Sequence, residues 1–192
     1  MVDYDEQNLL SRVARLAAVP PASPGAISNA PSIVALAAGA FRARPTRDAT
    51  VPTGFDPQAA ALFEAIVEAA YVVANADGIF DAKERRLFEL VIEAACGTVV
   101  RAEQVTALVS DLADQLWEDG ADRRIEALAK AVTREEHARE VLRIGALIAT
   151  ISDSASPAER AVLGKIAAQC GLPTASVDRA LAEAQRALAR AS

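Results

Sequence analysis

Apolar positions recur at helical spacing along most of the chain. In 6–18 (EQNLLSRVARLAA), Leu9, Leu10, Val13 and Leu16–Ala17 share one face. The run 19-VPPASPG-25 breaks that pattern, and a short helix is expected from Ser32 to Arg42. A second linker, 45-PTRDATVPTG-54, is rich in Pro, Thr and Gly. From Asp56 onward helix follows helix. The spacing predicts 57–76, 82–96, 101–118, 121–132, 134–152, 157–170 and 174–190, with Gly97 and Gly171 where helices stop. No Val/Ile/Thr-rich alternating strand interrupts them. The expected organisation is a helical N-terminal extension over 1–55, either a mobile tail or an ordered addition, and a helical domain over 56–192.

Two of these helices are apolar almost all round, 66-IVEAAYVVANA-76 and 141-VLRIGALIATI-151. Helices of that kind sit in the centre of a bundle. The others carry one stripe each, such as Val105, Leu108, Leu112 and Leu116. The central pair occupies matching places in a repeat. Asp77 and Asp153 stand 76 apart, Glu84-Arg85 and Glu159-Arg160 75 apart, and Cys96-Gly97 and Cys170-Gly171 74 apart. The fold class expected is therefore all-α. It is an internally duplicated bundle of two three-helix units with pseudo-two-fold symmetry, joined by the helix around Arg124–Val132.

Composition narrows the picture. Of 192 residues, 52% are hydrophobic but only 4% aromatic, so Ala, Leu, Val and Ile build the core. The formal net charge is −6 and no basic stripe stands out, which argues against nucleic-acid binding. Cys96 and Cys170 are too few for a disulfide scaffold and read as buried, inert thiols. No secretory signal opens the chain, and the early apolar run Ile33 to Phe41 is too short to span a membrane. The expected location is the cytoplasm, without direct membrane insertion.

The chemistry concentrates in 75-NADGIFDAKER-85. Asp77 falls at the expected C-terminal end of a buried helix, where the dipole disfavours a carboxylate, and Asp153 repeats the choice. Gly78 supplies a left-handed turn. The reversal could bring Asp77 and Glu84 together, and the symmetry could add Asp153 and Glu159. Such oxygens suit a divalent cation of unknown identity, with Asp81 as a possible further ligand. An EF-hand over Val73 to Glu84 has the right length but the wrong first residue, Val73, inside what reads as continuous helix. A plainer account is equally available. Asp81 with Glu84, and Ser156 with Glu159, form capping boxes, which leaves only Asp77 and Asp153 to explain. Arg85 or Arg86 is a candidate partner for Asp77. His137, the only histidine, reads as solvated, and Glu64 and Glu140 are assigned to the surface. No Ser-His or Cys-His partnership and no Gly-rich phosphate loop is in view.

The apolar helix running into Ala76-Asp77-Gly78, followed by Glu84-Arg85, resembles the tellurite-resistance TerB and TerB-like domains. The stretch Asp153 with 156-SPAERAVLGKIAAQCGL-172 resembles the matching half, and the likeness covers about 56–190. It departs at Ser154, where a Gly is expected, and in a second Asp-to-Glu interval one residue shorter. The resemblance implies a cytoplasmic, non-enzymatic stress-response module. It implies acidic metal ligands, here Asp77, Glu84, Asp153 and Glu159, and protein partners in membrane-associated stress complexes. The alternatives are a purely structural interaction domain without an ion and, ranked last, a metal-assisted hydrolase.

Overall fold

The structure is a computed structural model that describes residues 12–13, 16–17, 32–44, 55–78, 80–96, 99–151 and 154–190. The linkers 19–25 and 45–54, Gly97 and Asp153 lie outside the described residues, as does most of the expected helix 6–18. Residues 12–13 and 16–17 are helical. Among the described residues eight further helices follow: α1 (Ile33–Arg42), α2 (Pro57–Ala74), α3 (Ala82–Ala95), α4 (Ala102–Asp119), α5 (Ala121–Ala131), α6 (Glu135–Ala149), α7 (Pro157–Gln169) and α8 (Ala175–Arg190). Among the described residues there is no strand.

Local chemistry sets most of these ends. Asp56 caps α2 by accepting from the Gln58 and Ala59 amides at 2.9 and 3.1 Å, with Pro57 at the first helical position. Ser32 caps α1, its hydroxyl accepting from the Ala35 amide at 3.2 Å. The end of α7 is a Schellman motif. Gly171 takes φ +73°, its amide donates to Ala168 O, and the Leu172 amide reaches Ala167 O at 2.8 Å.

α2 is the hub. Every residue from Ala65 to Val73 is buried, and α1, α4, α5, α6 and α7 all pack on it. By length and composition alone α2 could cross a membrane, yet most of it is enclosed by protein. α6 is the second central helix, packed against α1, α2, α7 and α8. It passes close to its neighbours at Gly145, where a Cβ would lie 3.0 Å from Leu163 Cδ2 and 3.5 Å from Val73 Cγ2. α1 belongs to this core: Val34, Ala37, Ala38 and Phe41 are buried, and the Phe41 ring packs tilted against Phe63 of α2, centroids 4.8 Å apart.

Candidate functional site

The acidic knuckle joins α2 to α3. α2 stops at Ala74, two residues earlier than its pattern suggests, because Asn75 caps it. The Asn75 backbone and side-chain amides both donate to Tyr71 O, at 3.0 and 3.1 Å. Asp77 therefore stands beyond the helix, exposed, in a turn that Gly78 closes with φ +79°. The expectation placed Asp77 directly at the end of a helix over 57–76; the helix ends at Ala74, and the dipole penalty argued from that position largely falls away. The objection to an EF-hand holds. Val73, its first position, is helical and fully buried, so no open loop begins there.

The other acids of the knuckle are engaged. The Glu84 amide donates to Asp81 Oδ1 at 2.8 Å, and the Asp81 amide donates back to Glu84 Oε2 at 3.0 Å. This is the reciprocal capping box expected from the spacing. Arg85 and Arg86 both turn to Glu89, at 3.2 and 3.7 Å. An aromatic trio fixes the turn from beneath: Phe80 meets Tyr71 edge-on at 5.2 Å and Phe88 at 6.1 Å, and Tyr71 meets Phe88 at 5.9 Å. Burial raises the Tyr71 pKa. The pattern reading missed this trio, although 4% aromatic content makes three rings within 71–88 a signal in itself.

In the second half, Ser156 and Glu159 repeat the box. The Glu159 amide donates to Ser156 Oγ at 3.2 Å, and the Ser156 amide to Glu159 Oε2 at 2.8 Å. Each glutamate keeps one oxygen outside its box. Among the described residues no three His, Cys, Asp or Glu side chains lie close enough to hold one metal ion. The described carboxylates alone thus fall short of the six to eight oxygens, roughly, that calcium takes.

The structure brings together a different set of acids. Glu68, Glu89 and Glu140 are buried, at 7, 6 and 2% exposure, each beside an arginine. Glu140, expected at the surface, is buried instead. Arg143 donates to both its oxygens at 2.7 and 2.8 Å. The same guanidinium donates to Leu16 O and Ala17 O, at 2.8 and 2.9 Å. Glu140 in turn accepts from the Val34 amide in the first turn of α1, at 3.4 Å. This one pair ties α6 to two stretches of the N-terminal region. Glu64 is half-exposed and pairs with Arg44. Glu89 adds a bond from Thr106 Oγ1 at 3.2 Å, which joins α3 to α4.

Glu68 accepts from Arg124 Nε at 2.6 Å, and Arg124 also reaches Asp119 at 3.2 Å. Burial raises the Glu68 pKa, with Arg124 opposing it less strongly. Burial alone would lower Arg124, but Glu68 and Asp119 outweigh it and raise it. Both partners move upward because the glutamate lies deeper than the guanidinium. A carboxyl whose folded pKa exceeds its unfolded value costs stability when ionised. That cost is absent below the unfolded value, near 4.5, and complete above the folded one. Arg124→Ala is expected to lose about 2 kcal/mol at neutral pH. Because Glu68 then takes a proton more readily, the loss shrinks as pH falls toward about 5. Urea midpoints at both pH values check this. A loss that does not change with pH, or that persists in Glu68→Gln/Arg124→Ala, would sink it.

Burial pushes the Cys96 thiol up to about 12 and raises Cys170 as well, so neither is poised as a thiolate. Two surface hollows, one of about 340 Å³ beside Arg42, Arg101 and Gln104 and one of about 450 Å³ beside Arg134, Glu135 and Arg139, are open and polar. Small-molecule sites are more enclosed and more apolar.

A family model described as Tellurite resistance protein TerB matches residues 63–182. No curated protein matches the chain, and no solved structure does. The matched span opens at Phe63 inside α2 and closes at Ala182 inside α8. It takes in both capping boxes and all three buried glutamates, and it leaves α1 outside. The match covers well over half of the sequence, and on that ground the chain belongs to the TerB tellurite-resistance family.

Proposed function

We propose that this domain is a non-enzymatic, cytoplasmic stress-response module of the tellurite-resistance type that works by binding other proteins, among them components of membrane-associated complexes. The observation that carries the reading is the family match over the helical core. We read the core as two related three-helix halves. The support is the mutual packing of α2 and α6, the pairings α3 with α4 and α7 with α8, and a capping box opening both α3 and α7.

The divalent cation is the finer part of this proposal. Its ligands would be Asp77, Glu84, Asp153 and Glu159, with Asp81 as an addition. Since Glu84 and Glu159 each commit one oxygen to a helix start, the site these residues favour is weak and rich in water. The capping boxes equally favour a second reading, an interaction domain that needs no ion. Calorimetry with calcium, magnesium, manganese and zinc separates the two. A metal-binding module gives saturable heat and a raised melting temperature, both lost in Asp77→Ala. No heat and no thermal shift from any of the four ions would end the cation reading.

A further inference from the structure

α4 carries a surface that its packing does not use. Its inner face, Val105, Leu108, Val109 and Leu112, is buried. Its outer face presents Ser110, Asp111, Asp114, Trp117 and Glu118, all exposed. Trp117 is the only tryptophan in the chain, and at 89% exposure it stands almost wholly in solvent. Tryptophan left this bare on a helix is unusual, and at interfaces it is among the residue types most enriched as anchors.

The charge on the helix itself has one sign. α4 contains no Lys or Arg. Arg124 engages Asp119, but among the described residues Asp111, Asp114 and Glu118 have no ion-pair partner. Asp111 with Asp114, and Asp114 with Glu118, are three and four residues apart, spacings at which like charges repel. Glu118 also sits in the last turn, where the helix dipole is negative and no basic side chain offsets it. A cation supplied from outside would relieve both costs. The Trp117 ring adds a face on which a guanidinium or ammonium can rest.

We propose that the outer face of α4 from Ser110 to Glu118 is a docking surface for an Arg/Lys-rich segment of a partner protein, with Trp117 as its anchor. It rests on the reading of the domain as an interaction module and names the partner's chemistry. Charge selects this occupant over others. Phosphate-bearing lipids and nucleic acids are repelled by the same carboxylates, and a second copy of this chain carries the same −6.

The sole tryptophan makes the test direct. An oligo-arginine peptide is titrated into the full chain at low salt while Trp117 emission is followed. The emission changes saturably, and the effect fades as salt rises. By calorimetry, Trp117→Ala weakens binding about tenfold. The triple variant Asp111→Asn/Asp114→Asn/Glu118→Gln weakens it at least as much. Neutralising Glu126 and Glu183, exposed elsewhere, leaves it unchanged. Unchanged emission overturns the proposal, as does an equal loss in the Glu126/Glu183 variant, which would mean attraction by net charge alone. Emission that responds instead to phosphatidylserine vesicles, or to dilution of the protein, overturns it in favour of a membrane or a second copy. If Trp117→Ala still captures a native protein partner at the wild-type level, this surface is wrong and the interaction-module reading stands.

Discussion

Arg143→Ala is expected to destabilise the protein by about 3–5 kcal/mol and to loosen α1 from the core. The Glu140 carboxylate, 2% exposed, would lose the cation that meets both of its oxygens. The Leu16 and Ala17 carbonyls would lose their donor in the same step. Removing one member of a buried pair costs far more than the pair contributes, because an uncompensated charge remains. Replacing both members removes the uncompensated charge, so Glu140→Leu/Arg143→Met should regain part of the loss, the remainder being the Leu16 and Ala17 carbonyls left without their donor. Urea unfolding gives the magnitude, and hydrogen exchange in residues 33–42 reports on α1. A loss under about 1 kcal/mol, in the range of exposed ion pairs, would contradict the burial assigned to this pair.

Phe63→Ala should cost a similar amount, about 3–5 kcal/mol, by a different route. Phe63 has no exposed surface and packs its ring on Phe41 at 4.8 Å. Truncation removes the apolar transfer term and leaves a cavity between α2 and α1, two helices that cannot fully close over it. The contrast is Leu36, on the same α1 but 62% exposed, whose replacement by Ala should stay within about 0.5 kcal/mol. Chemical unfolding of both variants makes the comparison. Equal effects would mean that α1 is not seated as described.

These two positions also mark where sequence pattern succeeds and where it stops. Helix periodicity and end chemistry are local, so α2 to α8 fall within a few residues of their expected bounds. Gly78 and Gly171 take the positive φ that their turns require. The capping boxes are legible for the same reason, since both partners lie three residues apart. The buried glutamates are not legible. A Glu inside an apolar run gives no sign of its counter-ion when that is Arg124, 56 residues away. Arg143 is only three residues from Glu140, yet their burial depends on Leu16, Ala17 and Val34, more than a hundred residues earlier. At the knuckle, ending α2 at Ala74 instead of Ala76 moved Asp77 from the residue next to the helix to the third residue beyond it and changed its meaning. One amide side chain, Asn75, made that difference.

The burial of α2 has a consequence for synthesis. The chain leaves the ribosome from its N-terminus, so α2 emerges complete well before Glu135 begins α6, one of its two most extensive partners. Through that interval only α1 and the early helices can shade its apolar surface. A nascent chain halted before Glu135 therefore displays a segment with the length and hydropathy of a membrane span. Slowing translation between 75 and 135 would lengthen the exposure without altering a single contact of the finished fold.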